Sequence, residues 1–271
     1  MKKYSFNEHY FDKINTEDKA YFLGLLYADG CNVFTKNIIT ISLQAQDVHI
    51  LESFVDCVEF TGPLLFRNRV KLHHKDSYIL NLNSSYLCSK LKSYGMVPRK
   101  SLVLKFPTVV PKSLMNHFIR GYFDGDGYIA IGSGGHSAFS LVGTFDFCRN
   151  VQKIFIDSCG LSKTILEKCG TNTCKLRYGG NIRCTRIFDY LYNNATLYLI
   201  RKYDKFIVVQ NNKIRDDSNG LHFNTKLVLD TSNNKIYRSL REASEALNIN
   251  YYALSCSLRG SKVNNTTLIY L

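Results

Sequence analysis

The feature that most constrains the fold is a nine-residue pattern that occurs twice in the chain. Residues 22–30 read FLGLLYADG and residues 119–127 read IRGYFDGDG. The copies share a glycine at the third place, a small residue at the seventh and Asp-Gly at the end. Their final aspartates, Asp29 and Asp126, lie 97 residues apart (126 − 29). Two such copies indicate a chain that contains two repeated halves.

Each copy predicts a helix that ends at its aspartate. Apolar residues recur at helical spacing upstream, and Gly30 and Gly127 stand where a left-handed glycine commonly terminates a helix. The third and seventh places of each copy lie four residues apart and therefore share one helix face. A face of glycine and alanine lets a second backbone approach closely, so we expect the two helices to pack against each other along these faces.

The two aspartates would then meet in an unfavourable place. A helix presents negative charge at its C-terminus, so Asp29 and Asp126 would be repelled by the helix dipoles and by each other. A divalent cation with oxygen ligands compensates such a site. The backbone carbonyls of Ala28 and Gly125 are further candidate ligands.

Composition limits the class of protein. The chain has 271 residues, is 45% hydrophobic and carries a formal charge of +13, which favours a polyanionic partner, with nucleic acid ranked ahead of an anionic membrane. Nine cysteines without a Cys-x-x-Cys spacing indicate free thiols in a reducing compartment and argue against a zinc site. With no signal-peptide pattern and no apolar run of about 18 residues, we expect an intracellular protein of cytoplasm, nucleoid or organelle matrix, neither secreted nor bound to a membrane.

One predicted strand of the first half carries a row of basic side chains. Alternate residues of a strand project from the same face, and within residues 64–74 that face would present Arg67, Arg69, Lys71 and His73. No acid interrupts the row, so we interpret it as a ribbon that can lie in a DNA major groove. A solvated sheet face is the alternative.

The second half repeats this order of elements. Lys175 and Arg177 alternate with apolar residues on a predicted strand, and Gly179-Gly180-Asn181 is typical of a hairpin turn. Asp47 in the first half and Thr185 in the second are predicted helix caps. An Arg-Lys pair stands near the end of each half, at residues 99–100 and 201–202.

Between about residues 15 and 207 the sequence resembles the LAGLIDADG homing endonucleases, in the dodecapeptide variety of that motif. The resemblance rests on the two nine-residue copies and on three shorter strings, which are KAYFLGL at 19–25, PRKS at 98–101 and LIRK at 199–202. It implies an α+β fold of two pseudo-symmetric αββαββα halves whose sheets form a DNA-binding saddle.

The resemblance also implies the roles of individual residues. Asp29 and Asp126 would hold Mg²⁺ or Mn²⁺, one carboxylate from each half, and Lys100 and Lys202 would stand beside the scissile phosphates. Gln44 would lie near the attacking water, and the spacing places its counterpart near residues 142–143, where no polar group stands. The implied product is a double-strand break with short 3′ overhangs. The expected protein is a monomer that binds double-stranded DNA, with intron RNA as a second candidate partner.

The tail predicts a separate module. Residues 213–224 are polar and are predicted to be a linker between the halves at 1–105 and 106–212 and a module at 225–271. Ser239 begins a capping box, and two short helices with a turn between them predict a helix-turn-helix-like reader that resembles the modular DNA-binding repeat of nucleases. Its candidate DNA contacts are Arg238, Arg241, Arg259 and Lys262. A small cap that packs on the core is the alternative.

Three classes of function remain open. The leading hypothesis is a metal-dependent, site-specific DNA endonuclease. The second is a non-cleaving nucleic-acid binder on the same scaffold, either an intron-splicing maturase or a transcription regulator. The third is a structural basic protein, which would require the two copies of the motif to coincide by chance. Because the chain lacks terminal splicing residues, we expect a free-standing or intron-encoded enzyme rather than an intein.

Overall fold

A computed structural model describes residues 3–68, 75–97, 100–217, 227–237 and 239–270, with side chains only up to residue 212 in the third range. The predicted basic residues Arg69, Lys71, His73 and Arg238 lie outside the described residues. So do residues 218–224 of the predicted linker.

The first half has the order αββαββα. Its helices are α1 (Glu17–Asp29), α2 (Val48–Cys57) and α3 (Ser85–Ser93). Its strands are β1 (Gly30–Val33), β2 (Ile38–Gln44), β3 (Leu65–Arg67) and β4 (Ser77–Asn83), which form an antiparallel sheet in the order β1-β2-β4-β3.

The second half repeats that order and that sheet. Its helices are α4 (Met115–Asp126), α5 (Phe145–Cys159) and α6 (Asn181–Tyr192). Its strands are β5 (Gly127–Ile131), β6 (Ser137–Thr144), β7 (Glu167–Lys168) and β8 (Thr173–Gly179), paired antiparallel in the order β5-β6-β8-β7. The α+β architecture with two similar halves is therefore confirmed.

Two sequence predictions about the second half are wrong. Gly179 and Gly180 do not form a hairpin turn, because Gly180, at φ 97°, is the N-cap of α6 and turns the chain from β8 directly into that helix. Thr185 consequently lies inside α6 and is buried instead of capping the helix. A Gly-Gly pair commonly indicates a turn between two strands, but a positive φ serves a strand-to-helix turn equally well.

Helix α7 (Ile200–Asp217) follows the second half and continues past residue 212, where the sequence predicts the start of the linker. Beyond it, β9 (Val228–Asp230), β10 (Lys235–Tyr237), α8 (Leu240–Ala246), α9 (Tyr251–Leu258) and β11 (Leu268–Tyr270) form the C-terminal module. The strands make a small antiparallel sheet in the order β10-β9-β11. The buried side chains of this module form a hydrophobic cluster separate from the large one that both halves share.

The local signals explain the helix starts of the module. The Ser239 hydroxyl accepts a hydrogen bond from the Glu242 amide at 3.0 Å, as the capping box predicts, and Asn250 caps α9 in the same way. Across the described residues, no helix is long and apolar enough to span a membrane.

Candidate active site at the contact of the two motif helices

The two motif helices touch backbone to backbone. A Cβ built at Gly24 would lie 2.0 Å from the carbonyl oxygen of Phe118, and one at Gly121 would lie 2.0 Å from that of Tyr21. A Cβ at Gly125 would lie 2.3 Å from the Cβ of Ala28. Only small residues fit at these places, so the predicted pairing of the two small-residue faces is confirmed.

Gly30 and Gly127 have a different role from the one predicted. Their backbones are extended, at φ −75°, ψ 150° and φ −94°, ψ 158°, so neither is a left-handed cap. Each helix passes directly into a strand at its glycine. A Cβ at Gly30 would lie 2.5 Å from the Leu26 carbonyl oxygen, and one at Gly127 would lie 1.9 Å from the Phe123 ring. Close packing, not a positive φ, excludes a side chain at both positions.

The helix contact brings Asp29 and Asp126 together. Each is the last residue of its helix, and a Cβ at Gly125 of α4 would lie 3.0 Å from a carboxylate oxygen of Asp29. Burial, followed by the negative charge of Asp126, raises the pKa of Asp29 to about 6. Burial also raises the pKa of Asp126. The site therefore holds two carboxylates that resist becoming charged, chiefly because they are buried; the predicted repulsion between them is the second cause at Asp29.

Two buried lysines lie at the same helix ends. Lys100 donates to the carbonyl oxygen of Ala28 at 2.6 Å, and that contact engages one of the backbone oxygens predicted as a metal ligand. Lys202 donates to three carbonyl oxygens of the second motif, those of Phe123, Asp124 and Gly127. The ammonium groups thus offset the negative ends of both helices. Burial lowers the pKa of both lysines, that of Lys202 to about 8.

Gln44 lies exposed at the end of β2, where its side-chain oxygen accepts a hydrogen bond from Gln46. Gly30 pairs with Ile41 in the first sheet and Gly127 with Leu141 in the second, so the counterpart of Gln44 is Thr144. The spacing in the sequence places it one or two residues earlier, at 142–143. Thr144 is buried, caps α5 and donates to the Leu104 carbonyl, so its hydroxyl is already engaged.

Arg201 and Asp47 join the two halves. The Arg201 guanidinium contacts both carboxylate oxygens of Asp47, at 3.1 and 3.0 Å. Asp47 occupies the N-cap position of α2, as predicted, but its side chain makes no capping hydrogen bond. Its carboxylate is engaged instead by Arg201 of α7, in a charge-assisted contact.

Sequence reasoning missed a buried polar network on α4. Arg120 is fully buried and donates to Glu17 of α1 at 2.6 Å and to the Leu191 and Leu197 carbonyls. Asp124 is buried as well. Its carboxylate accepts a hydrogen bond from Tyr21 of α1, across the helix contact, and two more from Tyr192 of α6 and from the Leu199 amide just before α7. The available signal was the alignment of the two motif copies, where polar side chains replace apolar or aromatic ones.

The predicted DNA-contacting residues lie on exposed surfaces where they are described. Arg67 pairs with Ser77, which pairs with Gln44, so Arg67 and Gln44 occupy one row across the first sheet. In the second sheet Arg177 is exposed and Lys175 half-buried, while the alternating residues of β8 are buried. In the module Arg241, Arg259 and Lys262 are exposed. These positions are compatible with the predicted contacts, which remain predictions.

The donor set suits a hard divalent cation. Among the described residues no three His, Cys, Asp or Glu side chains cluster as a metal site, so the candidate ligands are the two carboxylates. Both stand at the ends of touching helices, and carboxylate oxygens are preferred ligands of Mg²⁺. The site therefore fits such an ion.

Comparison with known proteins identifies solved structures with a similar fold. No protein-family model and no curated protein matches the chain. Among solved structures, it is similar to the I-LtrWI LAGLIDADG homing endonuclease bound to target DNA, with 9% identity, a TM-score of 0.51, and coverage of 74% of this chain and 92% of that one. It is also similar to the LAGLIDADG homing endonuclease I-GzeII in complex with its DNA target, with 14% identity, a TM-score of 0.51, and coverage of 73% and 91%. The chain shares the fold of these proteins.

Proposed function

We propose that the protein is a site-specific, metal-dependent DNA endonuclease of the LAGLIDADG homing type, which acts as a monomer on double-stranded DNA. The observation that carries this proposal is the meeting of Asp29 and Asp126 at the ends of two touching helices, with a buried lysine at each end. The DNA-bound proteins of the same fold support DNA as the substrate. An intracellular location follows from that substrate.

In the proposed reaction Asp29 and Asp126 hold Mg²⁺ or Mn²⁺. Such an ion activates water and neutralises charge on a phosphodiester that is being hydrolysed. Lys100 and Lys202 keep their ammonium groups fixed beside the carboxylates and stabilise the negative charge that builds up on the phosphate. Gln44, exposed at the end of β2, orients water in the first half. The carbonyl of Gly125 remains a candidate ligand, whereas that of Ala28 must share its lone pairs with Lys100.

DNA recognition is assigned to two surfaces. The exposed sheet faces that carry Arg67, Lys175 and Arg177 would bind the target, together with Arg69, Lys71 and His73. The C-terminal module would add a second contact through its two short helices, with Arg238, Arg241, Arg259 and Lys262 as DNA-binding residues. Their cationic groups would neutralise phosphates and would make affinity depend on salt.

Cleavage selection from a genomic or random DNA library, with Mg²⁺ or with a chelator, tests the proposal. The wild-type protein should yield a recurrent sequence with short 3′ overhangs, and only when Mg²⁺ is present. Asp29→Asn and Asp126→Asn should each reduce double-strand cleavage below about 1% of the wild-type rate while DNA binding persists. Specific binding by the wild-type protein without cleavage would instead support the non-cleaving binder, and binding of intron RNA would identify the maturase.

A salt titration tests the module. Replacing Arg241, Arg259 and Lys262 by Gln should lower the slope of log affinity against log salt by about one unit for each DNA phosphate that the variant no longer neutralises. Lys153→Gln on the exposed face of α5 is a control that removes a single positive charge outside the module. An unchanged slope in the triple variant would favour the packed-cap alternative.

A further inference from the structure

The chain segment that carries Lys100 is bonded to the second half of the protein. Asn172, just before β8, donates from its side-chain amide to the carbonyl oxygen of Leu102 at 2.5 Å. Thr144, the last residue of β6, donates from its hydroxyl to the carbonyl oxygen of Leu104, also at 2.5 Å. The main chain that follows Lys100 is therefore anchored by two side chains of the opposite half.

Lys100 connects this anchored segment to the first half. Its main-chain carbonyl accepts hydrogen bonds from the amides of Val103 and Leu104, at 3.0 and 2.7 Å, so its backbone belongs to the same turn as the anchored carbonyls. Residues 101–103 are exposed and give the turn little packing, whereas Leu104 enters the core that both halves share. The Lys100 ammonium group, by contrast, donates to Ala28 of α1 at 2.6 Å. Its backbone is therefore held by one half and its ammonium group by the other.

Lys202 shows the reverse arrangement. Its ammonium group donates to three carbonyl oxygens of the second motif, but the neighbouring Arg201 contacts both carboxylate oxygens of Asp47 in the first half. His49 of α2, also in the first half, has its ring Nε2 3.4 Å from the carbonyl oxygen of Tyr198, four residues before Lys202. The chain that leads into α7 is therefore bonded to the first half, as the Lys100 segment is bonded to the second.

We propose that each half positions the lysine of the other half at the cleavage site. Asn172 is a positioning residue for Lys100, and Asp47 is one for Lys202, through Arg201. Neither half holds its own lysine in place without the other, so cutting of either DNA strand depends on both. The inference rests on the proposed function, because it assumes that each lysine acts on one strand.

The test follows the two strands of a DNA duplex separately. The duplex carries the selected target site and a different fluorophore on each strand, and the full-length protein is in excess over DNA with Mg²⁺ present. Lys100→Met and Lys202→Met first show which strand depends on which lysine. Because a displacement of about 1 Å can cost about 100-fold in rate, Asn172→Ala should slow the strand that Lys100→Met slows about 10- to 100-fold. The other strand should be cut at the wild-type rate.

Asp47→Ala should have the opposite strand preference. It removes the partner of Arg201 and should slow the strand that Lys202→Met slows, by less than Asn172→Ala slows its strand, because the Lys202 ammonium group keeps three acceptors. A general loss of stability would slow both strands alike, so opposite preferences in the two variants distinguish positioning from a merely structural role.

Asn264→Ala is the matched control. Its side-chain amide also donates to a main-chain carbonyl, that of Leu268 at 2.8 Å, but this hydrogen bond lies within the C-terminal module. The control should cut both strands at the wild-type rates.

The wild-type protein separates the two ways in which the experiment can fail. If it cuts neither strand, the proposed function is wrong and the positioning roles fall with it. If it cuts both strands but Lys100→Met and Lys202→Met show no strand preference, the assumption of one lysine for each strand is wrong and the inference is overturned. If Asn172→Ala cuts as the wild type does, slows both strands equally or slows the Lys202 strand, the positioning role is overturned and the proposed function survives.

A second variant covers the case in which Asn172→Ala does not fold. Asn172→Asp keeps the size of the side chain but replaces the donating amide by an acceptor that the Leu102 carbonyl repels. It should slow the same strand as Lys100→Met, and thermal unfolding shows whether it is folded. A folded Asn172→Asp protein that cuts both strands at the wild-type rates would overturn the proposal.

Discussion

The two halves repeat one backbone but surround it with different side chains. On α1 and α4 the contact glycines and the terminal aspartates are the same, because touching backbones leave no room for alternatives. At every second position from residue 23 to 27 and from residue 120 to 124, the second half has a more polar side chain than the first. The first half has Leu23, Leu25 and Tyr27 where the second has Arg120, Tyr122 and Asp124. Close packing therefore accounts for the residues that the two helices share, whereas the side chains around the contact differ in polarity.

The lysines show the same difference. Lys100 reaches one carbonyl oxygen of its helix end, whereas Lys202 reaches three and lies beside the buried carboxylate of Asp124. The second half thus fixes its cation through more partners than the first. Two halves with the same fold therefore need not have equal sites.

The largest effect is expected where the halves are alike. Gly24→Val and Gly121→Val should each lower the free energy of unfolding by about 3 kcal/mol or more, since each added side chain meets backbone 2.0 Å away. Gly179→Ala, where nothing lies within 4 Å of an added Cβ, is the control and should change stability by less than about 0.5 kcal/mol. Urea denaturation measures all three. A large difference in unfolding free energy between the two valine variants would show that the two sides of the helix contact are not equivalent.

The second-largest effect is expected from replacing the buried Arg120. Arg120→Leu places at that position the residue that α1 carries, but it removes the guanidinium donor from Glu17 and from two carbonyl oxygens, so that Glu17 keeps only the Thr196 and Leu197 amides. We expect a loss of about 3 kcal/mol in urea denaturation. Adding Glu17→Gln should recover part of the loss, because a neutral amide oxygen can still accept from the Thr196 amide. Additive losses in the double variant would show that the pair is not coupled.

The lysines should give a smaller, unequal pair of effects. Lys202→Met removes the ammonium donor from three carbonyl oxygens, of which that of Phe123 keeps the Gly127 amide, and should lower stability by about 3 kcal/mol. Lys100→Met removes the donor from one carbonyl oxygen and should cost about 1 kcal/mol. Thermal and urea unfolding of the metal-free proteins measure both values. Equal losses would indicate that the extra contacts of Lys202 contribute nothing.

The smallest expected effect is a pH dependence that belongs to the second half. Burial lowers the pKa of Lys202 from 10.5 to about 8, so between these values the folded protein binds fewer protons than the unfolded chain. The contribution of Lys202 to stability should therefore rise as pH increases through this window. The difference in unfolding free energy between wild type and Lys202→Met, measured without metal at pH 7 and pH 9.5, should change in favour of the wild type. A constant difference would contradict the depressed pKa.

The sequence was informative where a local pattern has a single physical solution. Small residues four apart predicted a close helix contact, and two Asp-Gly ends predicted that carboxylates would meet there, as they do. The backbone of Gly30 and Gly127 was mispredicted because glycine serves both positive φ and tight packing, and a sequence does not say which is needed. Packing against Leu26 and Phe123 decided the matter.

Contacts between distant segments were beyond prediction. Nothing near Asp47 indicates that Arg201, from the other half, will bind it. The lysines were singled out by resemblance, and their bonds to helix-end carbonyls appear only when the chain is folded. The roles of Asp29, Asp126, Lys100, Lys202 and Gln44 in cleavage remain predictions, because geometry places these groups without showing what they do.

The glycine contact between α1 and α4 also has a consequence for how a long polymer would be cut. Neither helix can slide along the other without driving a side chain into a main-chain carbonyl. The distance between the two carboxylates is consequently fixed by the protein and does not depend on the DNA sequence that is bound. If the proposed function is correct, the DNA duplex has to bend or narrow to match that distance. The offset between the cuts on the two strands would then be the same for every DNA sequence that is cleaved.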